Sequence, residues 1–140
     1  MTQQLTPAQA LIYAMFTTSA ADNSMNDAEM RRIGSVVRNL PACRDDDENN
    51  LVEEAKRWGT IASGPDGLAT VLAMIRDGLP ENLRETAYIL AAALAASDLH
   101  SRPEERRFLE LLAQHLGLDG LTVAALQRGA QARHQQVLDA

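Results

Sequence analysis

Apolar residues recur along this chain at the three- and four-residue spacing of a helix face, and no segment reads as a credible strand. Thr6-Pro7-Ala8-Gln9 predicts a helix start: a capping threonine, proline at the first helical position and glutamine at the third. Ala10, Leu11, Tyr13, Ala14 and Ala21 carry the apolar face, and this helix is expected to stop near Ala21 or Asp22. Asn26-Asp27-Ala28-Glu29 opens a second helix, with Met30, Ile33, Val36, Val37 and Leu40 as its stripe and Pro41 as its close. A polar loop over 43–50 leads into a third helix that passes Leu51, Val52, Ala55, Trp58 and Ile61 and ends near Ala62. Ser63-Gly64-Pro65-Asp66-Gly67 is a turn. A short fourth helix follows through Leu68, Val71, Leu72 and Ile75 to Gly78.

Pro80 opens the fifth helix, with Leu83, Ala87, Ile89, Leu90 and a run of alanines to Ala96. It is apolar nearly all round, which predicts a central position. Ser101-Arg102-Pro103-Glu104 caps the sixth, whose stripe is Phe108, Leu109, Leu111, Leu112 and Leu116, and Gly117-Leu118-Asp119-Gly120 ends it. The seventh starts near Thr122 and passes Val123, Ala124, Leu126 and Ala130, with a polar tail over 133–140 that is expected to fray.

These seven helices fall into two related halves. Asp22 is followed seven residues later by Glu29, and Asp98 seven residues later by Glu105. The two pairs lie 76 residues apart, each between an alanine-rich helix and a charged amphipathic one. The same offset matches Ala20 with Ala96, Arg31 with Arg107 and Leu40 with Leu116. The repeats span about residues 10–40 and 86–116, and helices one to three correspond to helices five to seven. The expected fold is therefore one all-α domain over 1–140 with pseudo-twofold halves.

Composition narrows the function. The 140 residues are 46% hydrophobic but only 4% aromatic, which favours helix and gives little surface for stacking nucleobases. With 13 basic and 19 acidic residues the net charge is −6, so neither nucleic acid nor an anionic membrane is an expected partner. The run from Ala87 to Ala96 is too short to span a bilayer, and the N-terminus has no basic n-region, so a cytoplasmic protein is expected. Cys43 is the single cysteine, and its acidic neighbours are expected to raise its thiol pKa.

The chemistry concentrates in the two acidic turns. A helix C-terminus carries partial negative charge, so an aspartate there calls for an offsetting partner. Glu29 and Glu105 lie in the first turn of the following helix, within reach of their own aspartates. If the halves meet about an axis, Asp22, Glu29, Asp98 and Glu105 face one another. Clustered carboxylates are paired, protonated or metal-bound, and an all-oxygen set suits calcium, magnesium or manganese. Helix capping is the plainer account, since Asn26 with Glu29 already forms a capping box. Arg31, Arg102, Arg106 and Arg107 are competing partners for the turns. Asp22-Asn23-Ser24-Met25-Asn26 begins like an EF-hand but has Asp27 at its sixth position and Ile33 at its twelfth. His100 neighbours the second turn, and His115 suits a helix C-terminus. Trp58 and Tyr88 are expected in the core with their polar tips bonded. No nucleophile motif or phosphate loop is present.

The segments from Ala20 to Glu29 and from Ala95 to Glu105, with Leu116-Gly117-Leu118, resemble the signature turns of TerB-like tellurite-resistance proteins. The resemblance covers about residues 8–132. It implies an all-helical bundle with internal pseudo-symmetry and a divalent-cation site at Asp22, Glu29, Asp98 and Glu105. The family usually has glycine after each aspartate; here Asn23 and Leu99 stand there. The expected function is a non-enzymatic module in tellurite resistance or stress response that works with a protein partner. The alternative is a helical scaffold that binds a partner without metal. An enzyme is the least expected.

Overall fold

The computed structural model of the chain describes residues 4–20, 25–97 and 103–138. Among them are eight α-helices: α1 (Pro7–Ser19), α2 (Asp27–Arg38), α3 (Asp45–Asn49), α4 (Leu51–Ala62), α5 (Gly67–Gly78), α6 (Arg84–Ser97), α7 (Pro103–Leu116) and α8 (Gly120–Arg133). No strand occurs among the described residues. The all-α expectation holds, with one more helix than the pattern predicts.

The extra helix is α3, which forms inside the stretch expected to be a loop. Arg44 N–H donates to Asp47 Oδ2 at 2.7 Å. The Arg38 guanidinium at the end of α2 clasps Glu48, with its shortest bond at 2.7 Å. Those contacts order a single turn that no apolar periodicity announces. Asn50, at φ −100° and ψ 7°, separates this turn from α4. Two boundaries also shift. α1 stops at Ser19, short of Ala21. Pro80 opens a 3-10 turn over Glu81–Leu83, and α6 begins only at Arg84.

The caps read at Thr6 and at Gly117 form, and the one read at Ser101 lies outside the described residues. Gln9 N–H donates to Thr6 Oγ1 at 3.2 Å, and Thr6 N–H donates to Gln9 Oε1 at 2.9 Å. Two reciprocal bonds thus satisfy donors that the first turn leaves open. Gly117, at φ 68°, ends α7: its N–H donates to Gln114 O and the Leu118 N–H to Ala113 O. That pair is the Schellman closure, which glycine adopts without a Cβ clash.

Buried residues from Leu5 to Ala130 form one cluster. The deepest helix is α1: Ala10 to Phe16 are each at most 1% exposed. α1 packs against α2, α4, α5, α6 and α7, so every side of it is covered. α6 packs against α1, α7 and α8, and its buried residues lie on one face. Small residues explain the close fit, because Ala10 and Ala14 on α1 and Ala87 and Ala91 on α6 are all buried.

The polar tips of Trp58 and Tyr88 are bonded. Trp58 Nε1 donates to Thr17 Oγ1 at 3.0 Å, and Gln127 Nε2 donates to the Tyr88 hydroxyl at 2.8 Å. Tyr13 lies near Glu54 of α4, whose Oε1 accepts from Gln9 Nε2 at 3.0 Å. Burial, and then the Glu54 charge, push the Tyr13 phenol from 10.0 to about 12. Burial also raises Tyr88, against the lowering effect of the Gln127 bond.

Folded tyrosine therefore holds its proton more tightly than the unfolded chain does. The linked stability is complete below pH 10.0 and is lost as pH rises toward about 12. Phenolate absorbance is expected to appear together with loss of helical circular dichroism, above the pH where free tyrosine ionises. A full phenolate signal near pH 10.0 from a chain that keeps its helices contradicts this burial.

Candidate functional site

Each predicted glutamate occupies the same place in its helix. Glu29 is the third residue of α2 and Glu105 the third residue of α7. Glu29 has a defined task there. Its N–H donates to Asn26 Oδ1 at 2.8 Å, and its Oε1 accepts from the Asn26 N–H at 3.1 Å. Glu29 is half-buried, whereas Glu105 is only 6% exposed. Asp22 and Asp98 lie outside the described residues, as do Asn23, Leu99, His100 and Arg102.

The described flanks of the two turns approach each other crosswise. Arg32 of α2, after the first turn, donates to Ser97 Oγ at the end of α6, just before the second turn, at 3.2 Å. Ser97 Oγ in turn donates to Leu94 O at 2.8 Å. On the opposite diagonal, Thr17 and Ala20 at the end of α1 share a cavity with Glu104 and Phe108 at the start of α7. The end of each first helix thus meets the helix that follows the other turn. A pseudo-twofold relation between the halves demands this exchange.

Carboxylate oxygens are hard donors and suit a hard divalent cation. Glu29 keeps Oε2 outside its capping box. Among the described residues no group of three or more His, Cys, Asp or Glu is arranged to hold a metal. Asp22 and Asp98, the other two expected ligands, are not among those residues.

The other singled-out residues resolve individually. Arg107 bonds Glu110 one turn along α7 at 3.4 Å. Arg106 lines a cavity between α6, α7 and α8 with Ala92, Ala95 and Gln127. Arg31 is exposed. His115 Nδ1 bonds Leu111 O of its own helix at 2.9 Å. The Cys43 thiol is raised to about 11, with burial as the larger cause and Asp47 the smaller. The direction matches the expectation, but desolvation leads rather than charge. Arg32 is the residue the sequence reading missed. Its one signal is its place a helical turn before Val36, at the edge of the apolar stripe of α2.

No helix among the described residues is long and apolar enough to cross a membrane. No curated protein and no solved structure matches the chain in the corresponding comparisons. A protein-family model does match: that of the tellurite resistance protein TerB, over residues 8–128. That span contains both acidic turns, all of α2 to α7, α1 but for its first residue and most of α8, so this chain belongs to the TerB family.

Proposed function

We propose that this protein is a non-enzymatic TerB-family module that binds a divalent cation (calcium, magnesium or manganese) through Asp22, Glu29, Asp98 and Glu105. The crosswise approach of the turn flanks is the observation that carries this reading. The matching third-residue positions of Glu29 and Glu105 support it. The cation neutralises clustered carboxylates and orders the two turns, and the ordered face then engages a protein partner in tellurite resistance or stress response. Tellurite is an oxyanion, so acidic turns are no receptor for it.

The test is thermal unfolding in chelator and then with each cation added in turn. A ligand that binds the folded state raises the midpoint with its concentration. A rise is expected for one or more of the three ions. Asp22→Asn with Asp98→Asn is expected to abolish the rise and leave helix content intact. An equal rise in the double variant sinks the proposal, and so does no rise in the parent chain.

One observation favours a metal-free scaffold as the second reading. A surface groove of about 370 Å³ between α2 and α4 is lined by Met25, Met30, Val52, Ala55 and Trp58, and Val52 is 60% exposed. Methionine side chains adapt to varied apolar partners. Capture of a partner in chelator, lost on Met30→Asp, supports this reading over the first.

A further inference from the structure

Two cavities occupy equivalent places in the two halves. Thr17, Trp58 and Phe108 line the first, and Ala93, His134 and Arg32 line the second. Thr17 and Ala93, Trp58 and His134, and Arg32 and Phe108 are each separated by the 76 residues that relate the acidic turns. The pairs make each cavity a control for the other.

The first cavity is plugged. Trp58 is 1% exposed, packs tilted against Phe16 at 5.8 Å between ring centroids and bonds Thr17. Leu68 and Val71 of α5 close it, and about 170 Å³ remains. The second cavity has neither device. At the 76-residue offset His134, just past the end of α8, falls opposite Trp58 and Arg32 opposite Phe108, and no residue of α5 lines this cavity. About 310 Å³ is open between α2, α6 and the end of α8.

Its lining is amphipathic and cationic. Val36, Leu40, Leu90 and Leu94 form an apolar wall, while Arg32, Arg133 and His134 bring the polar groups. No carboxylate among the described residues lines it, in a chain of net charge −6. The bond to Ser97 holds the Arg32 guanidinium, and Ser97 is itself held by Leu94 O. His134 Nδ1 lies 2.9 Å from Ala130 O. A carbonyl only accepts, so Nδ1 carries the proton and Nε2 is the nitrogen left for a ligand.

We propose that this cavity binds a small amphipathic anion: a carboxylate head at Arg32 and Arg133, and a short apolar body on the wall from Val36 to Leu94. Paired guanidiniums recognise a carboxylate geometrically as well as by charge. An apolar body displaces water from the aliphatic wall, which a bare inorganic anion does not do. The proposal does not depend on a bound cation.

Octanoate is the probe, titrated calorimetrically into the full chain in chelator, so that no cation effect enters. Saturable binding is expected. Acetate, which lacks the body, and octanamide, which lacks the charge, are each expected to bind about tenfold or more weakly. Arg32→Gln with Arg133→Gln is expected to weaken octanoate by a similar factor, and both side chains are exposed, so the fold is kept. His134→Trp introduces a large aromatic at the cavity lining and is expected to block octanoate with unchanged helix content. Octanamide as tight as octanoate overturns the proposal. So does undiminished octanoate affinity in the double arginine variant, or no octanoate binding by the parent chain.

Discussion

Trp58→Ala is expected to destabilise the protein by about 3–5 kcal/mol, the usual loss when a large buried aromatic is truncated. Trp58 is 1% exposed and fills the space between α1, α4, α5 and α7. The cavity beside it already measures about 170 Å³, so truncation enlarges an existing void rather than opening a new one. Surrounding atoms collapse poorly there, because Tyr13 and Phe16 belong to the most deeply buried helix. The variant also removes the donor that Thr17 Oγ1 accepts, while Thr17 still donates its own proton to Tyr13 O at 2.8 Å. A domain of this size is stable by only about 5–15 kcal/mol, so the loss is a large share of the total. Denaturant midpoints at equal slope measure it. Trp58→Phe, which keeps most of the volume but not the bond, is expected to fall between. A loss below about 1 kcal/mol for Trp58→Ala means that the core does not close around this ring.

Gly67→Ala is expected to be nearly as damaging, for a reason of backbone rather than core. A Cβ at Gly67 overlaps Ala62 O and meets Ala62 C at 2.6 Å and Ile61 O at 2.9 Å. All three are backbone atoms of the last turn of α4, and no rotamer change moves them out of the way. The substitution must pry α4 from α5, and a loss of about 3 kcal/mol is expected, at the upper end for forced overpacking. The preceding Asp66 sits at φ 52°, so the turn is already tightly wound before the helix starts. Gly129 supplies the contrast. It lies inside α8 with nothing within 4 Å of its Cβ position. Gly129→Ala is expected to stabilise the protein by about 0.5–1 kcal/mol, because alanine loses less chain entropy in a helix. Opposite signs for the same substitution separate steric exclusion from helix propensity. Equal effects at the two positions refute the close approach of α4 and α5.

The acidic turns combine both kinds of information. The third-residue placement of Glu29 was legible, since Asn26 and Glu29 satisfy each other across three residues. That Glu105 is buried while Glu29 is only half-buried was not legible, because the difference depends on which helices pack over each start. The spacing of Asp22, Glu29, Asp98 and Glu105 located a candidate site. Arg32, which links the flanks through Ser97, left almost no mark in the sequence.

What the sequence determined by itself is what short spans settle. The Thr6–Gln9 and Asn26–Glu29 boxes, the left-handed Gly117 and the turn from Ser63 to Gly67 each rest on groups a few residues apart. The helical periodicity belongs to the same class, because one turn brings its residues together without help from the rest of the chain. Tertiary structure decided which helix is covered on all sides. α1 and the predicted fifth helix are both rich in alanine, and only the packing of five neighbours around α1 tells them apart. It also decided that α3 forms, through the Arg38–Glu48 clasp. Most telling is the fate of two matched positions. Trp58 closes one cavity and His134 leaves its counterpart open, because α5 covers the first and nothing equivalent reaches the second. Local pattern specifies an element, but burial is a property of what is packed against it.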